Sequence, residues 1–220
     1  MNVARVPPLP YRAVVFDLDG TVVNSVELIT LSFRHAVREV LGVEMTSEEL
    51  MANVGRPLHE QMVILSPAHA DELVAVYREF NHREHDRMLT LYEGAIDLLR
   101  SLQSKGVRLG LVTSKSRYTT QMAFDLTGIE SYFDATVCSD ESPRNKPWPD
   151  PILFCLQQMN VPPNYAAYVG DSPADIQAAL SAGVYAVGVT WGVFAAEILE
   201  AENPDVLVHT FSELAGALGV

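Results

Sequence analysis

The sequence predicts an α/β protein: a doubly wound parallel sheet with a helical unit inserted after its first strand. Three observations carry this. Short apolar runs recur at 13–16, 107–112, 135–138, 166–169 and 184–189, and such runs read as strands covered on both faces. Segments of helical period separate the later runs, at 95–105, 117–127, 151–159 and 173–182, and this alternation implies βαβ units. The punctuation agrees: Gly106, Gly128 and Gly183 stand where helices should end, Pro151 and Pro173 where they should begin.

Taken in order, the run 13–16 (Ala13-Val14-Val15-Phe16) is a central strand. The alternation then stops: about seventy residues, up to Glu93, contain no convincing strand. Within them Val26, Ile29, Phe33, Val37 and Leu41 recur at helical spacing and define one amphipathic helix. Thr46 followed by Glu49 reads as a capping box. Ser66-Pro67 reads as the N-cap and first residue of a helix running towards Asp86. The expected division is therefore a core of 1–23 with 93–220 and an inserted helical unit of 24–92, placed where it can close over a site and exclude water. Strand and helix then alternate to the end, with a last short strand at 204–208 and a helix at 212–218.

Composition narrows the function. The chain has 220 residues, 48% hydrophobic and 20% charged, ordinary values for a folded domain. Its net charge of −13 offers no basic stripe to displace counterions, which argues against nucleic acid or an anionic membrane as partner. The same charge would repel an anionic substrate unless a bound cation and local basic residues reversed the sign at the site. Cys138 and Cys155 form no disulfide framework or zinc motif and read as buried thiols in a reducing compartment. Residues 1–10 contain three prolines and do not read as a signal peptide, and no apolar stretch reaches the roughly 18 residues of a membrane span. A cytoplasmic monomer or homodimer is expected.

Four segments carry chemistry. Asp17-Leu18-Asp19-Gly20-Thr21 follows the first strand. Thr113-Ser114-Lys115 follows 107–112. Lys146-Pro147-Trp148-Pro149-Asp150-Pro151 and Gly170-Asp171-Ser172-Pro173-Ala174-Asp175 follow later strands. In a parallel sheet the loops bearing them emerge on one edge, where ligands bind. Burying an ionised carboxylate costs several kcal/mol or more unless a cation compensates it, so a pair at a buried strand's end calls for a chemical purpose. Together the four offer a nucleophile, a proton donor, hydroxyl and amide donors, a lysine and further carboxylates. Each alone is weak; Ser172 reads equally well as a helix N-cap.

These four segments resemble the four motifs of the haloacid dehalogenase superfamily, and the likeness spans nearly the whole chain. The insert resembles that superfamily's C1-type cap, within the phosphoglycolate phosphatase and pyrophosphatase-like branch. Val54-Gly55-Arg56-Pro57-Leu58-His59 and the stretch from Tyr77 through His85-Asp86 are most similar to the pyrophosphatase side. The resemblance implies a Rossmann-like core, Mg²⁺ as cofactor and a small phosphorylated substrate. It implies that Asp17 attacks phosphorus to form an aspartyl phosphate and that Asp19 serves as general acid and base. Mg²⁺ would be held by the Asp17 carboxylate, the Asp19 backbone carbonyl and Asp171, with Asp175 one helical turn later supporting them. The Thr113 hydroxyl and the Ser114 amide would hold phosphoryl oxygens, and Lys146 would neutralise charge shared by Asp17 and the phosphoryl group.

The family commonly has a second acidic residue shortly after the first motif, where this chain has Asn24-Ser25; at the cap junction the change bears on hinge geometry more than on chemistry. Arg56, between Gly55 and Pro57, is the candidate to reach an anionic leaving group, since a guanidinium suits phosphate or carboxylate. His59, His82 and His85 lack metal-ligand spacing, and Trp191 reads as a core or rim aromatic. Two other readings fit the motifs: a phosphomutase of the β-phosphoglucomutase type, and a non-enzymatic phospho-accepting switch.

Overall fold

The computed structural model describes residues 9–220. The amino-terminal stretch read above as free of a leader lies, through Pro8, outside them.

The centre of the molecule is strand β1 (Ala13–Phe16), with all four residues buried. It pairs in parallel with β4 (Arg108–Val112) on one side and β6 (Ala166–Gly170) on the other. Beyond β4 lies β5 (Ala135–Val137); beyond β6 lie β7 (Tyr185–Val189) and then β8 (Val206–Val208), giving a six-stranded parallel sheet in the order β5-β4-β1-β6-β7-β8. Side chains alternate across a strand, so β1 serves both faces. Val14 and Phe16 join one apolar cluster, beneath α5 (Ala95–Ser104), α6 (Arg117–Thr127) and α10 (Phe211–Leu218). Ala13 and Val15 join the other, beneath α7 (Asp150–Gln158) and α8 (Pro173–Ala182). A strand covered on both faces must be apolar throughout, which explains why the first run shows no alternation.

The insert forms an apolar cluster of its own. It comprises α1 (Val26–Leu41), α2 (Ser47–Met51), α3 (Leu58–Leu65) and α4 (Ala70–Met88), with Ile29, Phe33, Leu50, Met62, Leu73 and Tyr77 at its heart. The α1 residues at helical spacing face α4, where the Phe33 and Tyr77 rings meet edge to face at 4.9 Å. Thr46 and Glu49 form the expected capping box. Both chain passages into the insert are tied together by β2 (Val23–Asn24) and β3 (Thr90–Leu91), which pair antiparallel. These two-residue strands are too short to show a period in sequence.

Four other features differ from expectation. The stretch expected as one helix from Pro67 begins as a 3₁₀ turn, Pro67–His69, before α4 starts at Ala70. Ser66 makes no side-chain cap; its hydroxyl meets His69 Nδ1 at 3.1 Å instead. The short helices α3 and α9 (Ala196–Ala201) have no sequence counterpart above. Lys146 does not sit at a strand end: β5 closes at Val137 and α7 opens at Asp150, so the lysine belongs to the loop between them. Among the described residues no helix is long and apolar enough to cross a membrane.

Candidate active site

All four sequence segments meet at the carboxyl edge of the sheet. Asp17 directly follows β1, and its N–H donates to the Val169 carbonyl at 2.9 Å, so the carboxylate is launched from the end of the central ladder. The chain then turns within one residue pair. Thr21, Val22 and Val23 all donate backbone N–H bonds to the Leu18 carbonyl, and Gly20 takes φ +72°, a left-handed conformation that suits glycine.

Asp17 is buried, and its Oδ1 lies 3.0 Å from Lys146 Nζ as an ion pair, with no aligned hydrogen bond. Burial pushes its pKa up to about 7; Lys146 pulls it down, and Asp175 and Asp19 push it up. Asp171, buried after β6, accepts from the Val193 N–H at 2.8 Å through Oδ2 and from the Thr21 hydroxyl at 3.4 Å through Oδ1. Burial, then the neighbouring Asp175 and Asp17, raise its pKa well above the ordinary range. Two glycines make room for it: a Cβ on Gly20 or on Gly192 would overlap the Asp171 carboxylate.

Asp175 is satisfied differently. Oδ1 accepts from Lys146 Nζ at 2.6 Å and from the Tyr168 hydroxyl at 2.8 Å. Oδ2 accepts from the Ser172 N–H at 3.0 Å and the Ser172 hydroxyl at 2.5 Å, closing a capping box that starts α8. Ser172 is thus an N-cap. Lys146 is buried among these groups. Burial opposes its charge, but Asp17 and Asp175 together outweigh burial and hold it protonated.

One carboxylate oxygen from each of Asp17, Asp171 and Asp175 lies within 4.8 Å of the others, an arrangement suited to a hard divalent cation. Each Asp175 oxygen already accepts from two donors, whereas Asp17 Oδ1 is buried without a hydrogen bond and each Asp171 oxygen has a single donor, in a cradle with no side chains on two sides. The residues present therefore fit a metal held by Asp17 and Asp171, with Asp175 steadying Lys146 from behind.

Asp19 stands apart from the acidic cluster. Its Oδ1 accepts from the Ser25 hydroxyl at 2.5 Å, and its Oδ2 forms an ion pair with Lys115 Nζ at 2.8 Å. Neither partner has a role in the sequence reading. Ser25, one of the two residues standing where the family commonly carries acid, touches the proton-transfer candidate directly, a contact the sequence did not reveal. Tyr168, below Lys146, gave no signal because a strand pattern hides it.

Thr113 is buried after β4, its N–H donating to Val137 at 3.0 Å. The Ser114 hydroxyl donates to the Gly55 carbonyl at 2.5 Å, which joins the insert to the core. Gly55 (φ +101°) lies against Ser172, where a Cβ would come within 2.6 Å of Oγ. Arg56 is exposed and lines a cleft of about 340 Å³ together with Asp17, Asp19, Ser114, Lys115 and Asp171. The three histidines stay separate: His59 pairs with Asp71 at 3.1 Å, His85 with Asp86 at 2.7 Å, and the His82 ring faces Tyr118. Trp191 supports the site from outside, donating from Nε1 to the Thr21 carbonyl at 3.1 Å and stacking on Phe211.

A sheet of this order carrying acidic, hydroxyl and lysine groups at one edge defines a class. The family model of haloacid dehalogenase-like hydrolases matches residues 14–189, and the chain belongs to that family. Pyrophosphatase PpaX of Bacillus pumilus is 36% identical over 208 residues, covering 94% of this chain and 96% of the relative. Two solved structures share the fold. A haloacid dehalogenase-like hydrolase of Streptococcus pneumoniae is 30% identical at a TM-score of 0.82, covering 94% of this chain and 98% of that one. A predicted phosphoglycolate phosphatase of Haemophilus somnus is 27% identical at 0.81, covering 94% and 97%. The chain is a phosphatase of this family, acting on small phosphorylated substrates.

Proposed function

We propose that the enzyme hydrolyses a small phosphorylated metabolite with an anionic leaving group, pyrophosphate or phosphoglycolate, through an aspartyl phosphate on Asp17 and with Mg²⁺ as cofactor. The observation that carries this is the separation of the two carboxylates of the first motif. Asp17 is buried beside Lys146, whereas Asp19 is held by Ser25 and Lys115. Two like groups in unlike surroundings suit two different tasks.

Asp17 attacks phosphorus as the bond between phosphorus and the leaving oxygen breaks, and Asp19, entering this step protonated, delivers its proton to that oxygen. Asp19 then takes a proton from a water that attacks the same phosphorus. The acyl phosphate opens, and Asp17 and Asp19 return to their starting states. Lys146 holds Asp17 in place and offsets charge on the transferring group; the Thr113 hydroxyl and the Ser114 N–H cradle its oxygens. Asp17 and Asp171, with the Asp19 carbonyl, would hold the metal, which when bound supplies positive charge to the transferring group. The insert of 24–92 acts as a cap on the core of 1–23 and 93–220, with Gly55 and Arg56 over the site. The buried free thiols Cys138 and Cys155 support a reducing, cytoplasmic setting.

The test is phosphate release with Mg²⁺ from pyrophosphate, phosphoglycolate, sugar phosphates and an aryl phosphate. Asp17→Asn should lose turnover by more than about 1,000-fold, and Asp19→Asn should let a phosphoenzyme be trapped. Wild-type rates in Asp17→Asn would sink the nucleophile assignment. Isomerisation of a sugar phosphate without free phosphate would replace hydrolase by mutase.

A further inference from the structure

Lys115 is unused by the mechanism above. Its side chain is 12% exposed, it lines the cleft, and its ammonium is 2.8 Å from Asp19 Oδ2. An ammonium carries three N–H donors. Among the described residues Asp19 is the one partner recorded for Lys115 Nζ. The two site lysines divide the chemistry between them. Lys146 belongs to Asp17 and Asp175, on the side of the transferring phosphoryl group. Lys115 belongs to Asp19, the group that must meet the leaving oxygen. Any leaving group within hydrogen-bond reach of Asp19 is therefore also beside the Lys115 ammonium. Arg56 and Arg78 line the same cleft from the cap.

We propose that Lys115 is a specificity-determining residue that reads the charge of the leaving group. In the substrate-free enzyme it holds the Asp19 carboxylate. A leaving group that carries its own phosphate or carboxylate takes over the ammonium, and Asp19, released from the ion pair and given a proton by solvent, turns to the bridging oxygen. A neutral leaving group offers the lysine nothing, so Asp19 stays engaged and the proton transfer is poorly placed. The enzyme would thus select anionic leaving groups through the positioning of its acid as well as through binding. This rests on the functional reading above.

Two measurements on the full chain test it. The first is calorimetric binding of methylenediphosphonate with Mg²⁺, which needs no turnover. A charge-assisted hydrogen bond is worth about 1.5–3 kcal/mol, so Lys115→Gln should bind about 10- to 100-fold more weakly. Lys115→Arg, which keeps the charge, should stay within about threefold of wild type. Equal affinity in Lys115→Gln, or an equal loss in Lys115→Arg, overturns the proposal. The second is the ratio of kcat/KM for pyrophosphate or phosphoglycolate to that for an aryl phosphate. Lys115→Gln should lower that ratio by about 30-fold or more, since affinity and acid placement both suffer. A ratio within about threefold of wild type also overturns it. Absence of phosphate release by the wild type from every substrate would instead overturn the functional reading, while the binding experiment would still report on Lys115.

Discussion

Replacing Lys146 with methionine removes the positive charge from between two buried carboxylates while roughly keeping the side chain's length. Asp175 loses its 2.6 Å partner but retains the Tyr168 hydroxyl and the Ser172 donors. Asp17 loses a partner at 3.0 Å and has no aligned hydrogen bond to replace it. Breaking a buried pair from one side costs about 3–5 kcal/mol, because a charge is left uncompensated. At about 2–4 °C per kcal/mol for a chain of this size, Tm should fall by about 6–20 °C. The assay is thermal unfolding at pH 7.5 with chelator present, repeated at pH 5. The sign follows from proton uptake. Asp17 is already raised to about 7, chiefly by burial, and losing Lys146 removes the influence that lowers it. The native state then binds more protons than the unfolded chain, whose carboxylates titrate near 3.9, so stability rises as pH falls. The deficit should therefore shrink at pH 5. A variant melting within about 2 °C of wild type at pH 7.5 would refute the buried pair. Turnover should fall by about 100- to 1,000-fold in the same variant.

Three other outcomes follow from the geometry. Gly192→Ala places a methyl group against the Asp171 carboxylate and should weaken Mg²⁺ binding by more than about tenfold, read from Mg²⁺ titration of Tm; unchanged affinity would remove Asp171 from the metal site. Mg²⁺ should raise Tm more at pH 8 than at pH 5, because Asp17 and Asp171 have raised pKa values and must give up protons to bind it. An equal gain at both values would mean the cation sits elsewhere. Arg56→Ala should raise KM for pyrophosphate or phosphoglycolate by about tenfold and for an aryl phosphate far less, and equal effects would exclude Arg56 from leaving-group recognition.

The fold was legible because burial writes itself into periodicity. β1 and α1 fall on the predicted residues, since a strand covered twice must be continuously apolar and a helix packed on one side must repeat every three or four. The pair β2 and β3 was not legible, because two residues carry no period. Within the site, the strand-end carboxylates stood out as costly groups in apolar surroundings. Ser25, Lys115 and Tyr168 did not. Their importance comes from contacts across the sheet or the cap junction, between residues whose own neighbourhoods look ordinary. Lys146 was found by its motif, yet its place in a long loop follows from the short strand β5.

The acidic chain also poses a charge problem that the site solves locally. Once ionised, as cation binding requires, Asp17, Asp171 and Asp175 contribute three negative charges and Lys146 one positive, leaving −2 (−3 + 1) in a buried cluster. Ions in such a medium are costly, and the raised pKa values of Asp17 and Asp171 express that cost. A monovalent cation would leave the cluster negative and hostile to a phosphoryl group. A divalent cation brings it to neutrality, so an arriving phosphate dianion meets no net repulsion from the −13 chain close by. Asp19 adds nothing to this balance while Lys115 holds it. When an anionic leaving group displaces that lysine, its charge is matched by the ammonium it has taken, and the freed Asp19, neutralised by a proton from solvent, stands as the acid at the leaving oxygen. The second lysine is thus what keeps the acid from upsetting the balance that the first lysine and the metal establish.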